Sequence, residues 1–219
     1  MFHFIDDKEF LSDLRSACAD IVNQLKQEIN RDGIMEVNTY LVGSGARNLI
    51  TQNENEPIDL DYQLEIISIS GLEWNKCKEI KEYIRKKYNE ILCRNHWPDC
   101  NDSTSVLSTK YVCFDSGNKT HFKIDLAIIV KDNKGNWWRL IHNKTGDFNT
   151  DEWVWEQGRD SKNLENKVNK LKQKGYWEEV RERYLEIKNR YLSQSNRNHP
   201  SFICYIEAVN EIYQKYRNK

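Results

Sequence analysis

The chain has 219 residues, of which 38% are hydrophobic and 31% are charged, and its formal net charge at pH 7 is -1. This length and composition allow a packed core in one large domain or two lobes, and they exclude an intrinsically disordered chain. The near-zero net charge argues against a broadly basic protein that binds extended nucleic acid, and no apolar run is long enough to span a membrane.

The first residues and the cysteines indicate the cellular compartment. Residues 1–7 lack a basic segment, a long apolar run and a small-residue cleavage site, so they do not resemble a secretory signal. We therefore expect a cytoplasmic protein in which the six cysteines are reduced thiols.

Hydrophobic spacing in the first quarter of the chain predicts a helix, a strand and a turn. Apolar side chains recur at helical spacing over residues 7–30, and Asp32-Gly33 is typical of a helix end. The elements that follow are a strand over 34–42, a Gly-Ser turn at Gly43 and Ser44, a short helical turn over 45–50 and a polar loop over 51–57.

Residues 58–69 alternate between apolar and polar side chains, which predicts a strand with one buried face. Ile58 and Leu60 share the apolar face, whereas Asp59 and Asp61 share the other. Because the side-chain period of a strand is two, the two aspartates point to the same side.

The middle of the chain continues with helix and strand patterns. The predicted elements are a helix over 72–93, a strand over 103–114, a strand over 121–130, a hairpin turn over 132–135 and a returning strand over 137–141. In the strand over 121–130, Asp125 lies on the polar face together with Lys123. Because a buried carboxylate without a counter-charge is costly, we expect a metal ion near Asp125.

The sequence changes character after His142. Residues 143–160 are polar and contain two tryptophans, so we interpret them as a linker or an active-site loop. Helices are predicted over 161–174, 176–193 and 200–217. This order predicts an α+β fold, with a mixed β-sheet lobe and flanking helices over residues 1–145 and a helical lobe over residues 146–219.

Asp59, Asp61 and Asp125 form a set of carboxylates suited to nucleotidyl transfer. This reaction moves negative charge onto pyrophosphate and needs an acidified acceptor hydroxyl, and two divalent ions roughly 4 Å apart serve both needs. Mg²⁺ prefers carboxylate and phosphate oxygens as ligands. The three aspartates can meet around such ions if the strands over 58–66 and 121–130 are neighbours.

The Gly-Ser turn adds a candidate phosphate site. A glycine directly after a strand lets the backbone approach a phosphate closely, and backbone N–H groups at a turn or a helix start attract anions. Gly43 and the Ser44 hydroxyl are therefore predicted to hold the outer phosphates of a nucleoside triphosphate.

Leu-Val-Gly-Ser-Gly, followed by Ile-Asp-Leu-Asp-Tyr and later by Lys-Ile-Asp-Leu, resembles the motif of the DNA polymerase beta-type nucleotidyltransferase superfamily. That motif is Gly-Ser, a spacer, two acidic residues separated by one residue, and a third acidic residue on a later strand. The match covers residues 34–142. The long spacer between Ser44 and Asp59 is similar to that of the oligoadenylate synthase and cyclic GMP-AMP synthase-like branch.

The resemblance implies an enzyme that transfers a nucleoside monophosphate from a nucleoside triphosphate to a hydroxyl acceptor and releases pyrophosphate. Asp59, Asp61 and Asp125 would be the catalytic residues and would hold Mg²⁺ or Mn²⁺, and Gly43 and Ser44 would bind the nucleotide. The acceptor would be a nucleotide, a small molecule such as an antibiotic, or an RNA end. The alternative is a catalytically silent nucleotide-binding protein of the same fold.

Two further groups of side chains near these segments have a functional and a structural interpretation. Cys93, His96 and Cys100 are of zinc-ligand type, but their spacing favours free thiols. Arg47 lies close to the Gly-Ser turn, where it would contact phosphate or pair with a nearby glutamate.

The C-terminal third offers candidates for nucleotide contacts. Lys167 and Lys170 share a helix face from which a lysine would reach a triphosphate, although a solvated face is the simpler interpretation. Trp153, Trp155 and Tyr176 would either stack on a base or pack against the protein.

Overall fold

The computed structural model describes residues 1–147, 149–158, 162–194 and 199–217. Contacts group the chain into two units. The sheet unit comprises Asp7–Asn48 and Pro57–Arg159, and the helical unit comprises Met1–Asp6, Leu49–Glu56 and Asp160–Lys219. The domain boundary predicted after residue 145 stays a prediction, because a grouping of contacts does not measure which parts fold independently.

The chain forms helices and strands of very different lengths. In chain order they are β1 (Phe2–Phe4), α1 (Lys8–Asp32), β2 (Met35–Leu41), α2 (Gly43–Arg47), β3 (Thr51–Asn53), β4 (Ile58–Ile69), α3 (Cys77–Arg94), β5 (Asn101–Asp102), β6 (Leu107–Ser108), β7 (Phe122–Lys131), β8 (Trp137–Asn143), β9 (Glu152–Gln157), α4 (Lys162–Gln173), α5 (Trp177–Ser193) and α6 (Ser201–Tyr216). The predicted α+β fold with a mixed sheet is confirmed.

The sheet unit is organised around a mixed sheet with the strand order β2-β4-β7-β6-β5, in which β8 pairs with β7 and with β9. β4 and β7 are parallel, whereas β2 pairs with β4 in the antiparallel direction. The two aspartate-bearing strands are therefore direct neighbours, which is the condition for their carboxylates to meet.

α1 shows why the sequence folds as it does in the sheet unit. The carboxylate of Asp7 caps the helix by accepting a hydrogen bond of 2.9 Å from the Phe10 N–H, and Gly33 ends it with a φ of +69°. The side chains on one face of α1 are buried, namely Phe10, Leu14, Cys18, Ile21, Val22, Leu25 and Ile29. This stripe packs in the region of β2 and α3, and its burial is the main source of helix stability.

The helical unit has a core of its own. Its buried side chains include Leu49, Val168, Leu171, Val180, Tyr184, Ile187, Cys204, Tyr205, Ala208, Val209 and Ile212. The short antiparallel pair of β1 and β3 belongs to the same unit. Leu49 thus joins the C-terminal helices in one core, although it lies more than a hundred residues earlier in the chain.

Two predicted elements were wrong. The strand predicted over 103–114 is reduced to the short strand β6 and an isolated bridge at Val112, because the chain turns between Ser103 and Val106, where the Ser103 N–H donates to the Val106 carbonyl at 3.0 Å. The linker or loop predicted over 143–160 contains β9, whose tryptophans lie opposite residues of β8. Strand propensity along the sequence does not show which strands pair, so the pairings of β6 with β7 and of β9 with β8 were not predicted.

Smaller differences concern element ends and short strands. The second helix begins at Cys77 rather than at residue 72. β1 and β3 have three residues each, and β3 lies inside the polar loop predicted over 51–57. In the part of the chain that the structure describes, no helix is long and apolar enough to cross a membrane.

Candidate active site

The register of β4 and β7 brings the three predicted aspartates together. In this parallel pair Asp61 lies opposite Asp125, and Asp59 lies opposite Lys123. Neighbouring strands are about 4.8 Å apart and side chains on one face recur every two residues. All four charged side chains therefore share one face of the sheet, while Leu60 on the other face is completely buried.

Asp125 accepts more hydrogen bonds from side chains than the other two carboxylates do, among the contacts of the described residues. Its Oδ1 accepts a hydrogen bond of 2.5 Å from the Ser108 hydroxyl on β6. Lys123 Nζ donates to both oxygens, at 3.1 Å from Oδ1 and 3.0 Å from Oδ2. The same ammonium lies 3.7 Å from Asp59 Oδ2. Lys123 is thus an internal counter-charge for two of the three carboxylates.

The charges closest to Asp61 are mostly negative, and its pKa reflects this, although the charges of Lys123 and Arg47 oppose the shift. Burial and the negative charges of Asp125 and Asp59 raise the pKa of Asp61 from 3.8 to about 6. Burial also raises the pKa of Asp59, although the charge of Lys123 opposes the increase. Burial works against the charged form of Lys123, but the hydrogen bond and charge of Asp125 raise its pKa. The cluster has more negative charge than its own lysine compensates.

The Gly-Ser turn lies directly against this cluster. The Val42 N–H donates to the carbonyl of Asp61 at 2.8 Å, which ties the start of α2 to β4. Gly43 has a φ of +63°, and a Cβ placed there would lie 2.2 Å from Asp61 Oδ2. Only glycine fits this position, because a side chain would displace the carboxylate. Arg47 NH1 donates to the Gly43 carbonyl at 2.9 Å.

Comparison with solved structures identifies the fold around these residues. One similar structure is the CdnE cyclic dinucleotide synthase of Elizabethkingia meningoseptica with GTP and Apcpp, with a TM-score of 0.53, 12% identity, and coverage of 90% of this chain and 68% of that chain. Another is CdnC of E. coli MS115-1 with ATP, with a TM-score of 0.56, 15% identity, and coverage of 96% of this chain and 62% of that chain. The chain has the nucleotidyltransferase fold.

The fold that the motif predicts is thereby confirmed. No known family and no curated protein matches the sequence itself. The chain spans less than two thirds of the CdnC chain, at 62%. The comparison therefore shows the fold, whereas the chemistry depends on the residues of the candidate site.

The carboxylate cluster fits a hard divalent cation by ligand type, since Mg²⁺ takes carboxylate oxygens. Its charge fits as well, because three carboxylates share this face of the sheet with one lysine. The present side-chain positions do not complete a site: among the described residues, no group of three or more His, Cys, Asp and Glu side chains is arranged to hold a metal ion. The ammonium of Lys123 lies where it separates Asp59 from Asp125.

Sequence reasoning missed two residues of this cluster. Lys123 was placed correctly on the polar face with Asp125, but its contact with Asp59 depends on the β4–β7 register. Ser108 was assigned to a long strand without a role, and β6 brings it opposite Asp125. The only signal in the sequence was the spacing of Lys123 and Asp125 by two residues.

The soft metal ligands and the lysine candidates lie elsewhere. All six cysteines are free thiols, with Cys93 exposed and Cys100 buried, and the absence of a metal-ligating group among the described residues extends to them. Lys167 Nζ donates to Asn210 Oδ1 at 2.7 Å, and Lys170 Nζ lies 6.0 Å from the ring centre of Tyr213. Both lysines thus have contacts inside the helical unit.

The aromatic candidates pack against the protein within their own units. The Trp153 ring stacks on His142 with the ring centres 4.0 Å apart. Trp155 Nε1 donates to the carbonyl of Trp74 at 2.8 Å. Tyr176 stacks on Tyr216 at 3.9 Å in the helical unit. The structural interpretation accounts for each of these three contacts.

Proposed function

We propose that the protein is a metal-dependent nucleotidyltransferase that transfers a nucleoside monophosphate from a nucleoside triphosphate to a hydroxyl acceptor and releases pyrophosphate. The observation that carries this proposal is the β4–β7 register, which aligns Asp61 with Asp125 and keeps Asp59 on the same face. The nucleotidyltransferase fold and the close contact between Gly43 and Asp61 support it.

The proposed roles follow from position and charge. Asp59 and Asp61 would bind Mg²⁺ or Mn²⁺, and Asp125 would complete the site and accept the proton of the acceptor hydroxyl. The Gly43 turn and the Ser44 hydroxyl would hold the outer phosphates beside these carboxylates. A bound divalent ion would supply charge neutralisation for the leaving pyrophosphate. The protein would contribute mainly by positioning the reactants and by fixed electrostatics.

The fold comparison favours a nucleotide as the acceptor. The CdnE structure is that of a cyclic dinucleotide synthase with GTP and Apcpp. We therefore place an oligonucleotide or cyclic nucleotide product ahead of a modified small molecule, such as an antibiotic, or a modified RNA end. This order concerns the acceptor only and leaves the proposed chemistry at the triphosphate unchanged.

A catalytically silent nucleotide-binding protein is the second candidate. The observation that favours it is Lys123, which already neutralises Asp59 and Asp125. Such a protein would bind a nucleoside triphosphate tightly and release no pyrophosphate with any metal or acceptor.

The deciding experiment measures turnover. The protein is incubated with each of the four labelled ribonucleoside triphosphates and with all four together, in Mg²⁺ or Mn²⁺, and pyrophosphate release and labelled products are followed. Asp61→Asn is expected to abolish release, and Asp115→Asn, which changes an exposed aspartate, is expected to leave it intact. Equal turnover in Asp61→Asn and the unmodified protein would refute the proposed function.

A further inference from the structure

Lys123 reaches across two strands, and its position follows from the backbone. It lies opposite Asp59 on β4 and two residues before Asp125 on β7, so all three side chains leave the sheet on one face. Its Nζ contacts both oxygens of Asp125, at 3.0 and 3.1 Å, and Oδ2 of Asp59 at 3.7 Å. The Lys123 side chain is only 17% exposed, so these contacts are partly shielded from solvent.

This ammonium competes directly with a divalent cation for the same oxygens. Lys123 and Ser108 together donate three hydrogen bonds to Asp125, so only about one lone pair, on Oδ2, is left for a metal ion. A positive charge about 3 Å from the ligand atoms would also repel the ion at short range, where screening by salt is weak. Metal binding at Asp125 therefore requires the ammonium to move.

The surroundings offer Lys123 a second position. The Tyr111 ring centre lies 5.7 Å from Lys123 Nζ, and Tyr111 is 50% exposed. A cation above an aromatic face is stabilised by the ring, and lysine has a flexible stem of four carbons. A modest rotation of the stem can therefore release both aspartates without leaving the ammonium unpaired.

We propose that Lys123 is a built-in counterion that holds Asp59 and Asp125 together in the nucleotide-free protein and must leave them, towards Tyr111, before a divalent ion binds. This inference rests on the proposed function, because it assigns the carboxylates to a metal. It predicts weak binding of a metal ion alone. It also predicts tighter binding together with a triphosphate, whose negative charge replaces that of the carboxylates as a partner for Lys123.

The test measures metal binding without turnover. Mn²⁺ alone is titrated into the full chain by calorimetry, and free Mn²⁺ is measured independently by electron paramagnetic resonance. Lys123→Met keeps the length of the stem and removes the charge, so we expect Mn²⁺ to bind at least about tenfold more tightly. Mn²⁺ should also raise the Tm of Lys123→Met by more than it raises that of the unmodified protein.

Two variants control for charge and for folding. Lys131→Met removes a lysine from the same strand, where Nζ lies 3.7 Å from Glu65 and the side chain is 46% exposed, so Mn²⁺ affinity should be unchanged. Lys123→Arg retains the charge and can bind a carboxylate through two donors, so Mn²⁺ should bind no better than in the unmodified protein. The arginine variant keeps the test decisive if Lys123→Met does not fold. Tighter Mn²⁺ binding by Lys123→Arg than by the unmodified protein would overturn the proposal.

The outcomes separate this inference from the proposed function. Equal or weaker Mn²⁺ binding by folded Lys123→Met, with pyrophosphate release retained by the unmodified protein, overturns the counterion role alone. If none of the proteins binds Mn²⁺, with or without nucleotide, and none releases pyrophosphate, the proposed function fails and the counterion role fails with it.

Discussion

Gly43 shows how a single residue can set the geometry of the candidate site. Its backbone adopts a left-handed φ of +63°, and the space where a side chain would be is filled by the carboxylate of Asp61. The Gly-Ser element of the motif therefore has a steric role, in addition to the phosphate binding that we propose for it. A glycine here lets the turn after β2 and the carboxylate of Asp61 approach each other.

Gly43→Ala tests this steric role. The new Cβ would lie 2.2 Å from Asp61 Oδ2, so we expect the carboxylate to be displaced and pyrophosphate release to fall by tenfold or more. Gly117→Ala is the matched control, because Gly117 also has a positive φ, of +74°, but a Cβ added there would meet no atom within 4 Å. Both variants carry similar backbone strain, of about 1–2 kcal/mol. Similar kcat/KM values for the two would contradict the steric role.

The raised pKa of Asp61 predicts that the stability of the metal-free protein depends on pH. Its pKa is raised to about 6 in the folded protein from an ordinary 3.8, so the folded state keeps a proton that the unfolded state releases. The contribution of Asp61 to stability therefore falls as the pH rises from about 4 to 6. Two pKa units correspond to at most about 3 kcal/mol, and partial exposure of the side chain reduces this value.

The corresponding variant is Asp61→Asn. We expect it to be more stable than the unmodified protein at pH 7.5 by about 1–2 kcal/mol, and to lose this advantage at pH 4. Urea denaturation at both pH values without metal measures the difference. Asp115→Asn, at an exposed position, should show no such pH-dependent advantage. An Asp61→Asn protein that is less stable than the unmodified one at pH 7.5 would be inconsistent with the raised pKa.

At the scale of elements, a buried charge network joins strands that are far apart in the sequence. His142 on β8 has a side chain only 6% exposed. Its Nδ1 lies 2.7 Å from Asp102 Oδ2 on β5, and its Nε2 lies 2.8 Å from Asp151 Oδ2 just before β9. Asp102 also pairs with the buried ammonium of Lys81 on α3, at 2.5 Å. Both imidazole nitrogens thus face a carboxylate oxygen, so the ring links β5 to the segment just before β9.

His142→Gln is predicted to destabilise the sheet unit. Glutamine cannot place a ring nitrogen against each of the two carboxylates, so their hydrogen bonds are lost, at a cost of about 1–3 kcal/mol. The stacking of the Trp153 ring on the imidazole is lost as well. His121→Gln, at an exposed histidine, is the control, and urea denaturation at pH 6 gives both values. A difference of less than about 0.5 kcal/mol between the two variants would mean that the network contributes little.

In the molecule as a whole, the sequence predicted the elements whose apolar residues recur at a regular spacing along the chain. Strand β4 was predicted with the bounds that the structure shows, because Ile58, Leu60, Asp59 and Asp61 alternate without interruption. The three C-terminal helices were also predicted, by their apolar stripes. Asp125 was placed on the correct face of β7 for the same reason.

Features that depend on distant pairing were not predictable in this way. The contact of Lys123 with Asp59 needs the β4–β7 register, which joins residues 64 positions apart. β9 was missed because it is stabilised as a strand by its pairing with β8. The assignment of 1–6 and 49–56 to the helical unit involves strands of three residues each, which are too short to show a period.

The side chain of Asn189 joins the N-terminal strand β1 to α5 within the helical unit. Asn189 on α5 accepts a hydrogen bond from the Phe2 N–H at 2.7 Å and donates to the Phe2 carbonyl at 3.0 Å, which is the pattern of a neighbouring strand. The Lys188 ammonium adds a contact with the Phe2 ring at 3.9 Å and donates to Thr51 at 2.8 Å. These contacts join three segments that are distant in the sequence, around Phe2, Thr51 and Lys188.

Asn189→Ala therefore tests whether the helical unit is one cooperative body. The loss of both hydrogen bonds is expected to cost about 1–2 kcal/mol and to increase hydrogen exchange at the Phe2 amide, and also at β3, because Asn53 pairs with Phe2. Asn166→Ala, at an exposed position of α4, provides the same substitution in a helix of the same unit. If the exchange at β3 stays unchanged while that at Phe2 rises, β1 is a peripheral attachment, and the helical unit holds residues 49–56 without it.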